Sequence, residues 1–86
     1  MSQPAVVMYI TNWCPYCERA RSLLAAKNVS VEEIDIESAA EKRAEMHTRS
    51  GQRSVPQIFI GDYHVGGSSE LLALEAAGKL DALLGR

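Results

Sequence analysis

The chain's only two cysteines stand three positions apart in Cys14-Pro15-Tyr16-Cys17, shortly after an unbroken apolar run from Ala5 to Ile10. That run is rich in β-branched residues and fits a central strand covered on both faces. Thr11-Asn12-Trp13 connects it to the cysteines. Pro15 suits a first helical position, where its missing N–H costs nothing. Ala20, Leu23, Leu24 and Lys27 follow at helical spacing, with Glu18, Arg19 and Arg21 on the wetter side. The cysteines therefore lie where a strand hands over to a helix. A disulfide between them would close too short a loop to staple a secreted domain. Half a zinc site is the plain alternative, but it needs two further ligands. His47 and His64 are 17 positions apart, outside the usual histidine spacing of such sites. A redox-active dithiol remains, and no metal site is expected.

Downstream, Val31 to Ile36 reads as a second strand, and Glu32, Glu33 and Asp35 place it near a sheet edge. Ser38-Ala39-Ala40-Glu41 has the form of a capping box opening a helix that Gly51 would stop. Asn28 is expected to end the preceding helix in a left-handed conformation. Pro56 to Ile60, the Gly61-Asp62 turn and Tyr63 to Val65 read as an antiparallel hairpin. Gly66-Gly67-Ser68-Ser69-Glu70 opens a last helix with Leu71, Leu72 and Leu74 as its apolar face, and Gly78 breaks it before Leu80, Leu83 and Leu84. At 86 residues this is expected to be one domain spanning 1–86. A net charge of −2 argues against a nucleic-acid partner, and no apolar run reaches the roughly 18 residues of a membrane span. Met1-Ser2-Gln3-Pro4 has no basic export region, so the expected location is cytoplasmic.

Three motifs stand in register: Cys14-Pro15-Tyr16-Cys17 after a strand, Ser54-Val55-Pro56 before another, and Gly66-Gly67-Ser68-Ser69 opening a helix. Together, from about Val6 to Leu84, the chain resembles the dithiol glutaredoxins of the C-P-Y-C type. The resemblance implies an α/β thioredoxin fold, a four-stranded mixed sheet flanked by helices in the order βαβαββα, with a cis peptide bond before Pro56. It also implies glutathione as electron donor and co-substrate, with no tightly bound cofactor and action as a monomer. There are departures. Thr11 occupies the place of the family's usual Lys, Ser69 that of a frequent Asp, and Ser68 that of a further Cys in many relatives. Glu70 is left either facing the glutathione ammonium or simply favouring the helix start.

The roles follow from position. An ordinary thiol of pKa about 8.5 is only a few per cent thiolate at neutral pH. A helix dipole supplies about 0.3 to 2 kcal/mol, so most of the activation must come from hydrogen bonds. The amides of Tyr16 and Cys17 and the Cys17 thiol are expected to point at the Cys14 sulfur. Cys14, at the N-cap, is read as nucleophile, and Cys17, inside the first turn, as resolving thiol. The free N–H groups of Ser68 and Ser69 would receive the γ-glutamyl carboxylate, although Gly67 and its neighbours also read as a mere turn and cap. Val55, extended before Pro56 and following Ser54, would pair with the cysteinyl backbone. Tyr16 and Thr11 would flank the glycine end. Arg43 would hold its carboxylate by resemblance, or stand as a solvated helix residue. Trp13 either contacts protein substrates or packs in its connector. His47 and His64 read as structural or surface residues. Met1, Met8 and Met46 show no ligand pattern and read as terminus or core. The expected activity is reduction of disulfide-containing and glutathionylated proteins. Two rivals remain: a redoxin driven by thioredoxin reductase, and a glutathione-ligated [2Fe-2S] carrier, which Pro15 and Cys17 disfavour.

Overall fold

The computed structural model describes residues 4–85; Met1 and the rest of the first three positions lie outside them. The elements are β1 (Val6–Ile10), α1 (Pro15–Ala26), β2 (Val31–Asp35), α2 (Ala40–Ser50), β3 (Gln57–Ile60), β4 (Tyr63–Gly66), α3 (Ser68–Ala76) and α4 (Leu80–Leu83). One sheet runs in the order β2-β1-β3-β4. β2 lies parallel to β1, whereas β3 is antiparallel to β1 and β4 to β3. The sheet is thus mixed, joining a βαβ half to a ββα half.

The apolar run of β1 is explained by its central place. Val6 and Met8 pack with Ile58, Ile60 and Val65 against Ala20 and Leu24 of α1, Leu71 of α3, and Leu80 and Leu84. Tyr9 points to the other face and joins Phe59, Ile36 and Met46 of α2. Burying each large apolar side chain contributes about 1.5 to 3 kcal/mol, so both faces hold helices in place. The Tyr9 hydroxyl is fully buried and would be unfavourable there without partners. It donates to Glu45, accepts from Arg49 Nη1 at 2.9 Å, and so locks α2 to the sheet. Burial and the Glu45 carboxylate together push its pKa up.

β2 is the edge strand its charges predicted, with Glu32 and Glu33 exposed. Glu33 accepts a two-point bond from Arg21 at 2.7 and 2.8 Å, tying the edge to α1. Asn28 takes φ 58° and Gly51 φ 69°, so both expected helix ends form. Two expectations need correction. The capping box at Ser38 does not form: α2 starts at Ala40 with Ala39 as an unassisted N-cap, and the Ser38 hydroxyl donates to the Asp35 carbonyl at 2.7 Å. The turn after β2 offers a nearer acceptor and captures the side chain first. Leu72 also departs from the expected apolar face and is 40% exposed, because only Leu71 and Leu74 share the buried stripe.

Candidate active site

Cys14 is the N-cap of α1, extended at φ −150° and ψ 101°, with Pro15 opening the helix behind it. Its position beyond the first turn leaves the sulfur half-exposed. The Cys17 amide donates to that sulfur at 3.1 Å. Of the two amides expected to reach it, Tyr16's makes no such bond. The Cys14 thiol in turn donates to the Val55 carbonyl at 3.9 Å, so Cys14 lies against the segment before Pro56. Cys17 faces inward on the same stripe as Ala20 and Leu24 and is 1% exposed. Burial, followed by its hydrogen bond with Cys14, pushes the Cys17 thiol up to about 12; a backbone hydrogen bond from Thr11 acts in the opposite direction.

Beside the cysteines runs an open cleft of about 530 Å³. Its lining includes Tyr16, the segment Ser54, Val55 and Pro56, and the start of α3 at Gly67, Ser68 and Ser69. The Val55–Pro56 peptide is cis. Gly67 is the N-cap of α3, and helix geometry leaves the amides of Ser68 and Ser69 without intrahelical acceptors. Glu70 Oε1 accepts from the Gly67 amide at 2.7 Å, which places Glu70 at the helix start. Gly67 has no side chain, so only this half of a capping box exists.

Seven of the residues singled out from the sequence therefore meet at this cleft, with Cys14 beside Val55. Thr11 and Arg43 are not among its lining residues. Thr11 is half-buried and its hydroxyl donates to the Trp13 carbonyl at 3.5 Å; Arg43 is exposed on α2. Trp13 is 85% exposed, which sets aside the packed-connector reading. His47 lies on α2, half-buried. His64, Gln57 and Gln52 line the cleft, a role that reading the sequence did not assign to them. Among the described residues, no three His, Cys, Asp or Glu side chains gather as a metal site, and no helix is long and apolar enough to cross a membrane.

Residues 6–65 match the glutaredoxin family model. The chain is 56% identical over 81 residues to a glutaredoxin of Pseudomonas aeruginosa, covering 94% of this chain and 96% of that protein. The chain belongs to the glutaredoxin family. It is also 52% identical over 79 residues to glutaredoxin 3 of Escherichia coli, covering 92% and 95% of the two chains. Among solved structures, the glutaredoxin of Brucella melitensis superposes with a TM-score of 0.85 at 52% identity, over 98% of this chain and 91% of that one. A buckwheat glutaredoxin–glutathione complex superposes at 0.86 with 28% identity, over 96% and 77%. The glutaredoxin thus has the thioredoxin fold and is a thiol-disulfide oxidoreductase, and it holds a half-exposed Cys14 beside a buried Cys17 at the start of α1.

Proposed function

We propose that this glutaredoxin takes its electrons from glutathione and reduces both glutathionylated proteins and protein disulfides. The observation that carries this reading is the cleft itself: Val55 stands against the Cys14 sulfur, and the start of α3 lines the same cleft. The first offers backbone groups to the cysteinyl unit of a tripeptide. The second offers the Ser68 and Ser69 amides to a carboxylate. Tyr16 flanks the remaining end. The solved buckwheat relative named as a glutathione complex supports the same reading. Thr11 and Arg43 would act from outside the lining, on the glycine end. Exposed Trp13 would meet the polypeptide of a protein substrate. Glutathione is a co-substrate and no tightly bound cofactor takes part. A monomer suffices, and a cytoplasm in which glutathione keeps thiols reduced suits the chemistry.

In the first route, the Cys14 thiolate attacks the glutathionyl sulfur of a protein–glutathione disulfide. The protein leaves as a thiolate and takes up a proton, and Cys14 now carries glutathione. A second glutathione thiolate attacks the bound glutathionyl sulfur, forms glutathione disulfide and restores the Cys14 thiolate. In the second route, Cys14 attacks a protein disulfide and one protein sulfur leaves. Cys17 then gives up its proton to the departing sulfur as it attacks Cys14, forming the Cys14–Cys17 disulfide. Two glutathiones reduce that bond and leave as one disulfide, so two electrons pass in each cycle. Cys14 is neutral once in a mixed disulfide, and its opposition to Cys17 ionisation then disappears, leaving burial as the main barrier.

The test is a coupled assay with glutathione and glutathione reductase beside one with thioredoxin reductase. Turnover is expected in the first only. Cys14→Ser should abolish both reactions, while Cys17→Ser should retain deglutathionylation and lose protein-disulfide reduction. Equal turnover with thioredoxin reductase, or an active Cys14→Ser protein, would overturn the reading.

A further inference from the structure

The lining of the cleft contains a polar chain, centred on a buried amide, that the redox chemistry leaves unexplained. Gln57 opens β3 in the run Gln-Ile-Phe-Ile and is 2% exposed. A primary amide in such a place is unfavourable unless its hydrogen bonds are made. They are: Nε2 donates to the Ser54 carbonyl at 3.0 Å and to the Ser54 hydroxyl oxygen at 3.2 Å. Oε1 lies 2.7 Å from His64 Nε2. A carbonyl can only accept, so the amide nitrogen must face Ser54 and its oxygen must face His64. His64 therefore carries a proton on Nε2 and donates.

His64 can reach Gln57 because of sheet register. Phe59 pairs with His64, and Gln57 lies two residues from Phe59 on the same face, making it the diagonal neighbour of His64. The irregularity between Ile58 and Phe59 gives β4 an extra residue next to this contact. The His64 ring is held in place by stacking on Phe59, with centroids 4.8 Å apart and planes 24° apart. The chain of contacts runs His64 to Gln57 to Ser54, and Ser54 is bonded to Val55, whose carbonyl meets the Cys14 sulfur.

We propose that Gln57 and His64 are positioning residues: they hold Ser54 so that Val55 presents an ordered backbone edge to glutathione. This rests on the glutathione reading above. An ordered segment loses less freedom on binding, and without the relay that ordering cost falls on the ligand. The effect belongs in glutathione affinity and not in the reactivity of Cys14.

The experiment compares wild type with Gln57→Met, His64→Phe and His64→Gln. It reads the apparent KM for glutathione, kcat at saturation, and the heteronuclear NOE of the Ser54 and Val55 amides. His64→Phe keeps an aromatic ring on Phe59 and removes the donor; His64→Gln returns an N–H at a similar reach. Gln57→Met and His64→Phe should raise KM roughly five- to tenfold, as expected for one or two lost hydrogen bonds. In both, kcat should stay within about twofold of wild type, since Cys14 is untouched, and the two NOE values should fall. His64→Gln should restore most of the affinity. A KM unchanged in His64→Phe, or a His64→Gln protein no better than His64→Phe, overturns the relay. If Gln57→Met does not fold, the His64 pair decides. A wild type that glutathione fails to reduce overturns the glutathione reading instead; unchanged NOE values in His64→Phe would then overturn the relay on their own.

Discussion

The two cysteines should differ in reactivity by orders of magnitude, and the difference can be worked out from burial. Cys17 is 1% exposed and its thiol is pushed up to about 12. At pH 7.5 a thiol of pKa about 12 is ionised to roughly 3 × 10⁻⁵, against roughly a tenth for an ordinary thiol of pKa about 8.5, a ratio of about 3000. A more basic thiolate is also a better nucleophile, and a Brønsted slope of about 0.4 to 0.5 returns roughly thirty- to fiftyfold of that. Ionisation wins, leaving Cys17 about a hundredfold slower than an exposed thiol before restricted access slows it further. Limited iodoacetamide at pH 7.5, followed by peptide mass spectrometry, should therefore show one adduct, on Cys14. In Cys14→Ser the opposition from Cys14 is gone but burial, the largest cause, remains, so Cys17 should still react slowly. In guanidinium both cysteines should react alike. Native alkylation of Cys17 within tenfold of Cys14, or ahead of it, would refute the burial argument and the assignment of roles with it.

Thr11→Lys places a cation three positions before Cys14, and should speed Cys14 alkylation or lower the apparent KM for glutathione; if neither moves, no cation is missed there. The Arg21 guanidinium holds the Glu33 carboxyl below the usual carboxylate range. Its stabilisation is present above the unfolded pKa of about 4.3 and is lost as pH falls through the lower folded value. Both side chains are about one-third exposed, so Glu33→Gln should lower stability by only about 0.5 kcal/mol at pH 7, and urea titrations should show the difference vanishing as the carboxyl protonates in acid. Gly66 has φ 110°, and an added Cβ would lie 3.0 Å from Glu70 Oε1. Gly66→Ala should lower stability by about 1 to 2 kcal/mol, a fall in Tm of roughly 5 to 15 °C. Gly67→Ala, at φ −93° and with a looser contact, should fall by less in the same melting experiment.

Features written in local sequence were legible: the apolar run of β1, Pro15 after the N-cap, the Gly61-Asp62 turn and the left-handed Asn28 all took their expected places. Failures came where local signals competed. Ser38 could cap a helix or serve the turn before it, and the nearer carbonyl won. Leu71, Leu72 and Leu74 cannot all share one buried stripe, and spacing by three selected Leu71 and Leu74. The cleft was legible as separate motifs, while its closure required the sheet. The roles of Gln57 and His64 depend on a diagonal contact across an irregular ladder, which has no period to read. One cue was available: a lone amide at the head of an otherwise apolar strand needs buried partners.

The spacing of the two cysteines has its own physical reason. A residue three positions after an N-cap sends its amide back toward the cap side chain, and this is the bond from Cys17 to the Cys14 sulfur. The same residue begins the stripe that continues through Ala20 and Leu24 into the core. One turn of helix therefore does two things at once: it directs an N–H at the attacking sulfur and sinks the second thiol where ionisation is unfavourable. On the proposed mechanism Cys17 then waits as a thiol until a mixed disulfide forms on Cys14, and its reluctance to ionise gives glutathione time to compete for that intermediate. Shortening the loop by one residue would rotate the second cysteine by about 100° around the helix and separate the two effects. The order of events in the proposed dithiol route is in this way set by helix periodicity.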